Sequence, residues 1–303
     1  MKRTVETEWL DELPANDPGA LGSRRDIRRL NWVMGNAGIL HRLLRPESRQ
    51  PAPKRIVELG AGDGLFMLEL AKYLAPSWKN IEVVLVDGKP AFIEEARCGL
   101  NALGWTVEAV VADVFDWLKQ PADGLADVMV ANLFLHQFSD EQLTKMLGLV
   151  SARTKLFAAC EPRRGLSNLF MSHTVGLIGC NAVSRHDAPV SVHAGFTGQE
   201  LCALWPANGA RLDTRTKRES SPSPREERAG RGPGRGAALK HTKDDTITPL
   251  PNPLPINPSW GEGTGLQPPL VPVSTCAPAI GNWRLRERPA QFFNQTFLAE
   301  REA

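Results

Sequence analysis

The stretch Ile56-Val57-Glu58-Leu59-Gly60-Ala61-Gly62-Asp63-Gly64 constrains the fold of this chain more than any other. An apolar β-branched pair runs into an acid and then into three glycines spaced two apart. Leu65, Phe66, Leu68, Leu70 and Ala71 follow at helical spacing, so the stretch reads as strand, tight turn, helix. Glycine suits such a turn because positive φ costs it little and no side chain blocks a close-lying ligand. The turn feeds a helix N-terminus, whose free N–H groups and dipole favour an anionic group.

Strand and helix patterns then alternate, the sign of a parallel sheet with helices on both faces. A second strand is predicted over 81–86, closed by Asp87, with its helix over 90–103. A third covers 107–111 and ends at Asp113; a fourth covers 127–132 and ends at Asn132. A helix follows from Asp140 to Val150, then a fifth strand over 155–160, closed by Glu161-Pro162. Glu58, Asp87, Asp113, Asn132 and Glu161 thus stand at the carboxyl ends of successive strands, the edge where open parallel sheets bind ligands. Each alone also fits a turn or helix cap.

The glycine spacing separates two ligand classes. The dinucleotide fingerprint Gly-x-Gly-x-x-Gly places its third glycine where this chain has Leu65. Glu58 and Asp63 also sit badly beside a pyrophosphate and suit a ligand with a cationic amine and a sulfonium. The stretch resembles the first motif of the class I S-adenosylmethionine (SAM) methyltransferases, Glu/Asp-x-Gly-x-Gly-x-Gly. Ala112-Asp113-Val114-Phe115 resembles the family's motif after strand three, and Ala131-Asn132-Leu133-Phe134-Leu135-His136 its fourth motif. The resemblance covers about residues 54–162. It implies a Rossmann-like α/β fold: a seven-stranded sheet, mostly parallel, with an antiparallel C-terminal hairpin and helices on both faces. It implies SAM as cofactor, held by Glu58, Gly60, Ala61, Gly62, Gly64, Asp87, Gly88, Asp113, Val114 and Asn132. Asp87 would meet the ribose, and Asp113 the adenine amino group.

Methyl transfer is an in-line displacement that needs alignment and dryness more than side-chain chemistry, and a base only where the acceptor loses a proton. The chain lacks the Asn/Asp-Pro-Pro-Tyr/Phe tetrapeptide of amide- and adenine-methylating families, which points to O- or C-methylation of a small molecule. His136 and His186 are the candidate bases, the latter beside Asp187. A structural histidine and a helix cap are their ordinary readings. Two other functions stay open: a SAM-binding regulatory protein impaired in catalysis, and an NAD-dependent oxidoreductase.

Four segments are expected. Residues 1–50 form an N-terminal helical cap, with an irregular lead-in to residue 22, a helix over 24–34 capped by Ser23, and a short one over 39–44. Residues 51–210 form the SAM-binding domain. Residues 211–282 hold 12 of the 24 prolines in Ser-Pro-Ser-Pro, Gly-Arg-Gly-Pro and Pro-Leu-Pro-Asn-Pro runs, a disordered insertion by composition. Residues 283–303 resume strand alternation and close the sheet. Arg163 and Arg164 read as exposed loop arginines or as an anchor for an acidic substrate. The formal charge of +2 gives no clustered basic footprint for nucleic acid, and five scattered cysteines give no metal-ligand spacing. No apolar run is long enough to span a membrane. A cytoplasmic enzyme with a small-molecule substrate is the expectation, with a homodimer among the assemblies open to it.

Overall fold

A computed structural model describes residues 1–206 and 282–302, apart from residues 50, 90, 122, 123, 291 and 292. The insertion read at 211–282 lies outside the described residues except for Asn282. Among the described residues, ten α-helices and seven strands follow the order α1 (Trp9–Glu12), α2 (Pro18–Met34), α3 (Asn36–Leu44), β1 (Arg55–Leu59), α4 (Leu65–Leu74), β2 (Glu82–Asp87), α5 (Glu94–Ala102), β3 (Thr106–Val111), α6 (Val114–Lys119), β4 (Val128–Asn132), α7 (Asp140–Arg153), β5 (Leu156–Pro162), α8 (Leu166–His173), α9 (Ala182–Ala194), α10 (Glu200–Leu204), β6 (Trp283–Ala290) and β7 (Asn294–Arg301).

The strands form one sheet in the order β3-β2-β1-β4-β5-β7-β6. Strands β1 to β5 pair in parallel, and the hairpin β6–β7 enters antiparallel, with β7 against β5. The expected mixed seven-stranded architecture is therefore the observed one. The inner strands β2, β4 and β5 read as apolar runs because both faces are covered, and successive side chains serve opposite cores, whereas the edge strands β3 and β6 carry exposed polar residues such as Glu108 and Arg284. On β4, Val128 and Val130 join the core beneath α3, α4 and α5, while Met129 and Ala131 join the core beneath α6, α7 and α10. On β5, Leu156, Ala158 and Cys160 alternate with Phe157 and Ala159 in the same way.

The helical cap differs from the sequence expectation. The first long helix begins at Pro18, not after Ser23: Asp17 caps it through Gly19 N and Ala20 N, and Pro18 takes the first turn, where its missing N–H costs nothing. Ser23 is buried inside that helix, where its hydroxyl meets Ser184 of α9. The lead-in also contains α1. Helix α5 starts at Glu94, because Ile93 is still extended. The polar run 181–194 is helix α9, capped by Asn181 through Ser184 N. Asp26, 2% exposed, ties α2 to α9 by accepting from Asn181 N at 2.7 Å and Ser184 Oγ at 2.9 Å.

Candidate functional site

The glycine turn lies between β1 and α4, and close packing explains its composition. Gly60 has φ +71°, and a Cβ there would fall 2.1 Å from the Phe134 ring. Gly64 has φ +81°, and a Cβ would fall 2.7 Å from Phe92. Above Gly62 nothing lies within 4 Å, so the turn leaves an open approach at its middle. Asp63 accepts from Leu65 N at 3.1 Å, covering the start of α4.

Asp87, at the end of β2, ties the turn to the neighbouring strand. One carboxylate oxygen accepts from Gly62 N at 2.8 Å, the other from Lys89 N at 2.8 Å. Each oxygen keeps a second lone pair for a hydroxyl donor. Glu58 is buried beneath, and its Oε2 has no hydrogen-bond partner among the described residues. Burial, with Asp63 and Asp87 nearby, pushes its carboxyl well above the ordinary range. Burial also raises Asp63, against the opposing pull of Leu65 N, Arg28 and Arg24. Asp63 and Asp87 beside the turn disfavour a pyrophosphate, and a cationic amine or sulfonium there would offset the burial that holds the Glu58 carboxyl up. The open Gly62 and the unpartnered Glu58 oxygen therefore fit SAM. Ala61 lines the same turn, its N–H donating to Val86 O at 3.1 Å; Gly88 follows Asp87, and no side chain lies near the Cβ direction of Gly88. Asp113 caps α6 through Phe115 N and Asp116 N, and Val114 is the first residue of that helix.

Asn132 closes β4 within a buried asparagine network. Asn36 Nδ2 donates to Asn31 Oδ1 at 2.7 Å and to Asn132 Oδ1 at 3.0 Å, and Asn132 Nδ2 donates to Asn31 Oδ1 at 3.0 Å. Asn294 of β7 donates to Asn36 Oδ1 at 2.8 Å. The cap and the sheet edge are thus joined at the end of the fourth strand. Directly after it, Leu133 adopts φ 52°, a strained conformation for a branched residue. The turn is held because Phe134 N and Leu135 N donate to Glu161 Oε1 at 3.1 and 3.0 Å.

His136 follows in that turn and is 3% exposed. Its Nδ1 lies 2.9 Å from Glu161 Oε2 and its Nε2 lies 3.2 Å from Glu8 Oε1, so both ring nitrogens are occupied by carboxylates. Burial opposes a charged ring, but hydrogen bonds and charge from Glu161 and Glu8 outweigh it and raise His136 to about 10. Burial would raise Glu8 too, yet His136, Ser191 and Gln137 hold it below its ordinary value. The result is an imidazolium clamped between two acids. Arg3 covers it, donating to His136 O at 3.1 Å and Phe138 O at 2.8 Å.

His186 is placed differently. Its Nδ1 lies 2.8 Å from Asp187 Oδ1, its ring stacks on Trp9 at 3.8 Å, and its side chain is 34% exposed. Its Nε2 makes no hydrogen bond among the described residues. Asp187 in turn accepts from Trp9 N at 2.9 Å and Leu10 N at 3.0 Å, capping α1. Lys89, two residues past Asp87, holds the other end of α1 through Leu10 O, Asp11 O and Leu13 O. Asp11, beside Glu8 and Asp187, is pushed up to about 6 by burial, with Glu8 adding to the effect. Its side chain still reaches solvent.

The chain expectations missed Glu8, Asn36, Asn294 and Lys89, whose partners lie far away in sequence. Arg164 is neither exposed nor available to a substrate. It is buried and donates to Met1 O at 3.0 Å and Thr197 Oγ1 at 3.2 Å, and it pairs with Glu200.

Residues 56–155 match the methyltransferase domain family. No curated protein matches the chain. Similar solved structures include the plantazolicin methyltransferase BpumL in complex with SAH (16% identity, 62% of this chain and 69% of that one, TM-score 0.46). An O-methyltransferase family protein from Burkholderia thailandensis aligns at 12% identity over 91% of this chain and 57% of its own, TM-score 0.46. Magnesium protoporphyrin IX methyltransferase (ChlM) from Synechocystis PCC 6803, with bound SAH, aligns at 9% identity over 89% and 83%, TM-score 0.42. Over residues 56–155, about a third of its length, the chain is similar to a methyltransferase domain.

Proposed function

We propose that the protein methylates the oxygen or carbon of a small-molecule acceptor held between the helical cap and the carboxyl edge of the sheet. In this reading Glu58, Gly60, Ala61, Gly62 and Gly64 receive the amino-acid end of SAM. Asp87 and Gly88 receive the ribose, Asp113 and Val114 the adenine, and Asn132 the inner wall of the pocket. When bound, SAM supplies a methyl group already activated by its sulfonium.

The observation that carries the proposal is the hydrogen-bonded path from sheet edge to cap: Lys89 beside Asp87 anchors α1, and α1 carries the Trp9 ring that stacks on His186. His186 is the base. Asp187 holds its Nδ1, which leaves the Nε2 lone pair to accept the proton of an acceptor hydroxyl. His136 has no open lone pair in its clamped state. It acts as a positioning residue that fixes the turn after β4 and seals the edge against water.

Incubation with labelled SAM and a panel of phenols and enolisable carbonyl compounds tests the reading. Transfer to a member of the panel is expected, with kcat falling on the order of 10²–10⁴-fold in His186→Ala for a phenolic acceptor. SAH binding without transfer to any acceptor would instead favour a SAM-binding regulatory protein.

A further inference from the structure

We infer that the outer face of the helical cap docks on an anionic lipid bilayer. Large apolar side chains are concentrated there. Trp32 at 83%, Phe170 at 69% and Leu177 at 88% exposure stand with Val33, Met171 and Ile178 in solvent. They come from α2, from α8 and from the 3-10 turn after α8. Arg29 of α2 donates to Ile178 O at 3.4 Å in the 3-10 turn Val175–Ile178 that follows α8. On α2, Arg25, Arg29, Trp32 and Val33 recur at i, i+4, i+7 and i+8, a single helix face.

Charge decides what this face meets. Residues 27–46 contain no acid, and neither do residues 162–186. Arg28, Arg29 and Arg164 have carboxylate partners in Asp63, Asp26 and Glu200. Arg25, Arg163 and Arg185 have no ion pair among the described residues. Arg185 lies against the apolar turn, where a Cβ on Gly176 would fall 3.2 Å from its Cδ. A two-fold pairing of this face with its own copy would set arginine against arginine. An anionic bilayer instead takes the apolar side chains at the headgroup boundary and the guanidinium groups at its phosphates. This is surface attachment only: among the described residues, no helix is long and apolar enough to cross a membrane.

Flotation of the full-length protein with vesicles tests the inference. The protein is expected to rise with vesicles of phosphatidylglycerol and phosphatidylcholine. It should stay behind with phosphatidylcholine alone, and it should be released from the anionic vesicles by high salt. Phe170→Ser with Leu177→Ser, and separately Arg185→Glu, should each lower the anionic-vesicle affinity at least about tenfold. Both variants change solvent-facing side chains, so each should melt with the wild type, and the arginine variant stands alone if the double variant does not fold. Four results would overturn the inference: no flotation on anionic vesicles, equal flotation on neutral ones, variants that bind as the wild type does, or a dimer that the Phe170/Leu177 substitutions convert to monomer.

Discussion

Replacing His136 with glutamine removes the one cation that lies between Glu8 and Glu161. All three groups are buried, with His136 at 3%, Glu8 at 7% and Glu161 at 0% exposure. Glu161 keeps its backbone donors from Phe134, Leu135 and His136, and Glu8 keeps Ser191. What is lost is the charge that compensates two desolvated carboxylates. Breaking a buried ion pair by removing one partner costs about 3–5 kcal/mol. For an ordered region of this size, that corresponds to a fall in Tm of roughly 6–20 °C.

The pH dependence identifies the cause. A ring raised from 6.5 to about 10 contributes stability that is fully present below 6.5 and lost as pH rises through about 10. The wild type should therefore lose stability steadily from pH 7 to pH 10, whereas H136Q should lose clearly less over that window. Glu8 has the opposite sign: its depressed carboxyl contributes above 4.5, and that contribution fades as pH falls further. Thermal melts across pH 4–10 on both proteins read all of this. A variant melting within about 2 °C of wild type at pH 7, or sharing its alkaline slope, would refute the clamped imidazolium.

Gly60→Ala should abolish measurable SAH binding, because its Cβ would meet the Phe134 ring at 2.1 Å in a positive-φ position; unchanged affinity by calorimetry would contradict this. Asn36→Ala removes three hydrogen bonds at the end of β4 and leaves Asn132 and Asn294 short of partners. A stability loss of about 1–3 kcal/mol by chemical denaturation is expected. Glu58→Gln should not destabilise the protein at pH 8. A carboxyl raised by burial, Asp63 and Asp87 loses stability as pH climbs past 4.5, and the amide is free of that loss. A Tm drop above about 3 °C would count against it.

The sheet was legible in the sequence because the inner parallel strands β2, β4 and β5 are apolar on both faces and each has a polar residue, Asp87, Asn132 or Glu161, at or next to its carboxyl end. Val83 to Val86 supply both cores, and Asp87 then turns the chain at the ligand edge. The glycine turn was equally plain, since Gly60 and Gly64 answer steric demands made within the same supersecondary unit. The cap was harder to read. Asp17-Pro18 is a local start signal that competes with Ser23 in the same stretch, and the polar surface of α9 hides its helical period, although Asn181 marks its beginning. Glu8 had no local signal at all. Its role comes from His136 and Ser191, residues brought to it by tertiary folding alone.

Calorimetric titration with S-adenosylhomocysteine probes the carboxyl-edge site most directly. The wild type should bind one equivalent, and Asp87→Ala, which loses the contacts to Gly62 N and Lys89 N, should bind at least about tenfold more weakly. No heat from the wild type, or equal affinity in the two proteins, would contradict a cofactor lying across the ends of β1 and β2.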